Sequence, residues 1–169
     1  MDRCRLEWGV AWRVLLALPL LAGCGFHPLY GDAKLQPQLT SIFVEPVAER
    51  DGYELRNTLI NLLDSNGVSA GKAYHLKLLL NETNQGVALQ NDATITRYND
   101  TLTVVYVLTD ATGKEVTRGT QSSLASYNTV TSPYATLAGQ QDADKRAAEE
   151  IAERIRLDLG VFFRRRDGR

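Results

Sequence analysis

Between residues 51 and 159 the apolar side chains change their period twice, and no other property of the chain limits its fold as tightly. Leu55, Leu59, Leu62 and Leu63, with Ile60 alongside, recur at helical spacing. Ahead of them Asp51-Gly52-Tyr53-Glu54 has the acid-x-x-Glu arrangement of a capping box, so a helix is expected to start there, and Asn66-Gly67 supplies a left-handed stop. From Lys72 the period falls to two: Tyr74, Leu76, Leu78 and Leu80 share one face, with His75, Lys77 and Leu79 on the other. Leu102, Val104, Tyr106 and Leu108 alternate with Thr103, Val105 and Val107, apolar on both faces in part, which suits a central strand. From about Asp142 to Leu159 the helical period returns, with Ala147, Ala148, Ile151, Ala152, Ile155 and Leu159 on one side.

The connections follow from turn chemistry. Thr40 to Glu45 is β-branched and apolar, with Pro46 ending its pairing. Asn81 to Gly86 has turn composition, Val87 to Tyr98 reads as a second strand, and Asn99-Asp100 as a tight connection. Asp110 to Lys114, containing Thr112-Gly113, reads as a hairpin turn into a Ser/Thr-rich strand over Glu115 to Tyr127. Asn128 to Gly139 reads as a loop, and Gly160 as the cap of the last helix. Both helices need an apolar surface and the sheet offers one. The expected fold is α+β, a two-layer sandwich of a mostly antiparallel four- to five-stranded sheet with two helices packed on one face, in the order β-α-β-β-β-β-α.

The N-terminus carries a different kind of signal. Arg3, Arg5 and Arg13 precede an apolar run from Val14 to Leu21, and Leu21-Ala22-Gly23-Cys24 closes it with small residues before a cysteine. This is the pattern of a bacterial lipoprotein signal peptide, in which Cys24 becomes the first residue and carries lipid. A membrane span takes about 20 apolar residues, and Pro19 weakens an anchoring helix further. The other cysteine, Cys4, lies in the segment to be removed, so Cys24 keeps no partner for a disulfide. Gly25 follows in place of an Asp that would favour inner-membrane retention, which points to the outer membrane. The expected organisation is a signal peptide over 1–23, a lipidated tether over 24–38 with Pro28, Gly31 and Pro37, a folded domain over 39–160, and a basic tail over 161–169. That tail, with Arg164-Arg165-Arg166 and Arg169, reads as a solvated end or as a contact for anionic headgroups or a partner.

Charge and chemistry exclude several classes. The chain has 19 basic and 20 acidic residues; without Arg3, Arg5, Arg13, Asp2 and Glu7 these become 16 and 18, a formal charge of −2 that predicts no nucleic-acid binding. The two histidines, His27 and His75, stand beside no cysteine or acid at ligand spacing, so no metal site is expected. Acylation of Cys24 would block any nucleophilic pairing with His27. The acids at 142, 144, 149, 150 and 153 are interleaved with basic residues and read as a solvated helix face. No phosphate loop or nucleophile elbow is present, so the chain reads as a binding or structural protein and not an enzyme, with no cofactor beyond covalent N-acyl and S-diacylglycerol lipid on Cys24.

Three segments carry a resemblance: Cys24-Gly25-Phe26-His27-Pro28-Leu29-Tyr30-Gly31, Leu89 to Thr94 with Arg97-Tyr98-Asn99, and Ala125-Ser126-Tyr127-Asn128 with Ser132-Pro133-Tyr134-Ala135. In order and spacing they resemble the LptE family of LPS-assembly lipoproteins in its alphaproteobacterial form; the basic end after Leu159 lies outside the resemblance. The resemblance implies a lipid-anchored protein on the periplasmic side of the outer membrane that plugs the LptD β-barrel, helps it assemble and assists lipopolysaccharide insertion at the surface. Arg97, Lys114 and Arg118, expected at strand ends or beside the hairpin turn, are the candidates for contact with LPS phosphates. The alternative is a periplasm-facing lipoprotein acting as chaperone or pilot for another outer-membrane complex.

Overall fold

The computed structural model describes residues 35–48, 50–89 and 94–168, so Cys24, the expected signal peptide and most of the expected tether lie outside the described residues. The elements run α1 (Leu35–Thr40), β1 (Ile42–Val44), α2 (Arg50–Leu62), β2 (Tyr74–Leu89), β3 (Ile95–Asp110), β4 (Glu115–Asn128) and α3 (Pro133–Asp167). The sheet is four-stranded in the order β1-β2-β3-β4. It is mixed: β1 runs parallel to β2, with α2 as the crossover a parallel pair requires, while β2, β3 and β4 form an antiparallel meander. The expected α+β architecture stands, with four strands and an added first helix whose Leu35 and Leu39 are buried.

Two expected turns are strand. Asn81 to Gly86 pairs residue by residue with Thr103 to Tyr98, and Asn99-Asp100 pairs with Gln85 and Asn84 on one side and Ser126 and Ala125 on the other. The chain reverses after Leu89 instead, past register shifts between Gly86, Ala88 and Leu89. Cross-strand pairing on both sides of β3 outweighs the turn preference of its polar residues.

The helix ends also differ from expectation. α2 is stopped by Asp64 and not by Asn66-Gly67: Asp64 adopts φ 53°, Ser65 N–H donates to Ile60 O at 2.9 Å and Asp64 N–H to Asn61 O at 3.2 Å. That is a Schellman motif with aspartate in the left-handed position usually taken by glycine. α3 begins at Pro133, within the expected loop, because Ser132 caps it, accepting from Ala135 N–H at 3.4 Å, and proline suits the first helical position. It runs on past Gly160, since Phe163 one turn later is fully buried. A Cβ on Gly160 would sit 3.8 Å from Leu35 Cδ2, so the residue marks where α1 crosses α3 and not a helix end.

The core lies between the helices and one face of the sheet. Leu55, Leu59 and Leu63 and all six predicted residues of α3 are buried against Leu76, Leu78, Leu102, Val104, Tyr106, Leu108 and Ala125. These strand residues share a face, as the registers Leu76 with Leu108, Leu78 with Tyr106 and Asp100 with Ala125 require. Among the described residues no helix is long and apolar enough to cross a membrane.

Candidate functional site

The face of the sheet turned away from the core is an open surface built from three long strands. It carries Lys77, Leu79, Asn81, Thr83 and Gln85 from β2, Thr101, Thr103, Val105 and Val107 from β3, and Arg118, Thr120, Ser122, Leu124 and Ser126 from β4, none of them buried. Hydroxyl and amide groups dominate, and some bond across strands: Thr103 Oγ1 and Ser122 Oγ are 3.1 Å apart, and Ser126 Oγ donates to Asn99 Oδ1 at 2.7 Å. Val105 and Val107, half-buried, and Leu79 and Leu124, each more than half exposed, are the apolar exceptions. A surface of this kind can rest against a polar wall without large desolvation cost.

The segments Arg97-Tyr98-Asn99 and Ala125-Ser126-Tyr127-Asn128, far apart in sequence, are direct cross-strand partners: Arg97 with Asn128, Tyr98 with Tyr127, Asn99 with Ser126. The two tyrosine rings stack at 5.5 Å between centroids, and Asn84 Nδ2 donates to Tyr127 Oη at 3.0 Å. Thr129 Oγ1 donates to Ile95 O at 2.7 Å just before Ser132 caps α3. Together these contacts fix the register at the far end of the meander.

The three cation candidates are not brought together. Arg118 pairs in register with Val107, while Arg97 lies ten residues earlier on the same strand (107 less 97), about 33 Å away at the usual rise. Lys114 is near Arg118, at the foot of the β3–β4 turn. That turn is organised by Asp110, whose Oδ1 accepts from Thr112 Oγ1 at 2.6 Å, Thr112 N–H at 2.9 Å and Lys114 N–H at 3.1 Å, with Gly113 at φ 83°. The Thr112 hydroxyl first, then the two backbone N–H groups and the Lys114 charge, hold the Asp110 carboxyl below its ordinary range. Arg118 is already engaged: its Nε and Nη2 donate to the two oxygens of Glu115 at 2.7 and 2.5 Å. That fork lowers Glu115 and raises Arg118.

A residue assigned to the tail joins this end of the molecule. Lys114 and Arg166 line an open groove of about 430 Å³ together with Tyr74, Asp110, Glu115, Val116 and Phe162. Arg166 stacks over aromatic rings, its Cζ 5.2 Å from the Phe163 centroid and 5.5 Å from that of Tyr74. The basic run is therefore part of the last turns of α3, and Arg166 faces the hairpin. Its helical spacing from Phe162 and Phe163 was the available signal in the sequence.

The acids of α3 divide. Asp142 and Glu149 pair with Arg146 and Lys145 on an exposed face, as expected. Glu150 makes the expected i,i+4 pair with Arg154 and also accepts from Ser123 Oγ, while Asp158 accepts from Tyr106 Oη at 2.9 Å and Gln121 Nε2 at 2.6 Å, so both acids reach the sheet as well. Asp144 also turns inward and is not part of a solvated face: it meets Asp100 of β3 and Glu82 of β2, with one oxygen from each residue lying within 4.8 Å of the others. Asp100 is 3% exposed. Burial pushes its carboxyl up to about 6; a bond with Glu82 acts the other way, and Asp144 and Asp51 add to the rise. Asp144 is raised too, chiefly by burial.

Residues 39–159 match the family described as "LptE: Lipopolysaccharide-assembly". Over 149 residues the chain is 27% identical to an uncharacterised protein of Rickettsia prowazekii, covering 87% of this chain and 93% of that one. Among solved structures, a candidate lipoprotein from Caulobacter crescentus CB15 is 33% identical with a TM-score of 0.67, covering 79% of this chain and 98% of that one. Rare lipoprotein B from Shewanella oneidensis, at 14% identity and a TM-score of 0.58, covers 75% of this chain and 96% of its own, and shares the fold.

Proposed function

The chain belongs to the LptE family of lipopolysaccharide-assembly proteins, and we propose that it acts as a plug within the LptD β-barrel, helping that barrel assemble and assisting lipopolysaccharide on its way to the cell surface. The observation that carries the reading is the open, hydroxyl-rich face of the sheet, none of whose side chains is buried although three long strands build it. The lumen of a large outer-membrane barrel is polar, and such a face suits it. No catalytic step belongs to this role: the protein contributes shape, hydrogen-bonding surface and cations.

Cys24 is the proposed site of the lipid anchor, with residues 1–23 removed and the protein held on the periplasmic side of the outer membrane. Several acyl chains on one cysteine anchor far more firmly than one, because each buried methylene adds about 0.8 kcal/mol. The cations proposed to meet LPS phosphates are those at the hairpin end, Lys114 and, once it leaves Glu115, Arg118, with Arg97 serving the opposite end of the open face.

Affinity purification of the chain from outer membranes tests this reading, with LptD expected as the recovered partner. Depletion is expected to leave LptD misassembled and lipopolysaccharide in the periplasm. Recovery of another outer-membrane complex, with surface lipopolysaccharide normal after depletion, overturns the plug in favour of a pilot or chaperone.

A further inference from the structure

We propose that Glu82, Asp100 and Asp144 form a binding site for a divalent cation of the calcium type. Both oxygens of Asp100 and Oδ1 of Asp144 are buried, and among the described residues no donor from outside the three carboxyls reaches them. Asp100 points at the other two carboxylates from the floor of the sheet, between Asn84 and Ala125 in register, while Asp144 comes down on it from α3. Ionised carboxylates taken from water against one another are costly; Arg50 acts on Asp144 as a counter-charge but is the smallest influence on it, and a cation held among the three would offset that cost directly.

Donor type selects the ion. The three oxygens lie within 4.8 Å of one another, so one ion can reach them all, and Mg²⁺, which dehydrates reluctantly and demands near-ideal octahedral geometry, suits a partly buried set of protein carboxylates less well than Ca²⁺ does. An all-oxygen, all-carboxylate set without histidine or cysteine disfavours zinc and copper. Glu82 is exposed, which gives the ion a path in and leaves room for water to complete its shell. Bridging β2, β3 and α3, the ion would clamp the helix onto the sheet close to the stacked Tyr98 and Tyr127.

The test is calcium binding by the detergent-purified full chain, stripped with a chelator and titrated with CaCl2 by calorimetry while thermal unfolding is followed in parallel. One ion per chain is expected, with a Kd of about 10⁻⁴–10⁻³ M as in extracellular calcium modules, and a Tm that rises with calcium. Asp100→Asn is expected to raise the Tm of the calcium-free protein, by removing the buried charge, and to abolish the calcium-dependent rise. Glu82→Gln, at an exposed position where folding is not at stake, is expected to weaken binding by about tenfold or more. No binding at about ten times that Kd range, or a calcium response unchanged in Asp100→Asn or Glu82→Gln, overturns the proposal. The readout is ion binding by the isolated chain, so it stands or falls independently of LptD.

Discussion

Tyr106 lies across Gly119: the two are register partners on β3 and β4, and a Cβ built on Gly119 would fall 2.5 Å from the ring Cζ. The ring thereby reaches α3, where its hydroxyl donates to Asp158 Oδ2 at 2.9 Å. Burial and the Asp158 carboxylate both raise the phenol, which keeps it a donor at any physiological pH. One missing side chain on the edge strand thus lets an aromatic residue of the central strand tie the helix to the sheet.

Gly119→Ala is therefore expected to destabilise the protein by about 1–3 kcal/mol, since the ring must leave its position or the strands must part. Tyr106→Phe keeps the packing and removes one of the two donors to Asp158, at a cost of about 1 kcal/mol. Urea unfolding followed by circular dichroism measures both. Equal stability of Gly119→Ala and the parent would mean that the ring has another place to go.

Phe163 tests whether the residues after Gly160 belong to the folded domain. It is fully buried and meets Tyr74 edge-on at 5.2 Å between centroids, so Phe163→Ala is expected to cost about 3–5 kcal/mol. Substituting Arg165, which is exposed, should change stability by less than about 0.5 kcal/mol. Thermal or denaturant unfolding of the two variants separates a helix that is part of the core from a tail that is not.

The sequence was readable wherever one side of an element is buried. The six apolar residues of α3, the leucines of α2 and the alternation over Leu102 to Leu108 all face the core as their spacing requires. Reading failed where the pairing ladder runs on beyond the core. Over residues 81–86 the side chains are exposed, so the apolar alternation disappears while the backbone bonds continue, and polar composition then mimics a turn. The site was readable only in part for a related reason. Lys114 and Arg118 are local to one turn, but Arg166 comes to line a groove with Lys114, and Asp144 meets Asp100 and Glu82, only once α3 has packed on the sheet.

Asp110 predicts a pH dependence. Its folded carboxyl titrates below its ordinary range because Thr112 and Lys114 donate to it. The unfolded chain then takes up this proton first as pH falls, so the stabilisation is complete above the ordinary aspartate range of about 4 and is lost as pH drops through the lower folded value. Asp110→Asn should unfold with a flatter acid dependence than the parent. A carboxyl NMR titration giving Asp110 an ordinary or raised value would contradict the turn geometry.

The Glu115–Arg118 fork sets how the hairpin end can engage lipopolysaccharide. Arg118 spends its Nε and Nη2 donors on Glu115, so a phosphate must displace a bidentate carboxylate before it can use that guanidinium in the same way. Arg118→Ala alone is then expected to change lipopolysaccharide binding little, while Lys114→Glu, placed beside Arg166 in the open groove, weakens it severalfold. Glu115→Gln should strengthen binding, because it releases Arg118 and removes a negative charge from the groove at once. Binding of a fluorescent lipopolysaccharide to the purified chain, repeated at low and high salt, measures all three; the difference between Glu115→Gln and the parent should shrink as salt screens these exposed charges. If Glu115→Gln binds no better than the parent and Lys114→Glu binds as well, the hairpin end is plain surface charge and the phosphate contacts lie elsewhere.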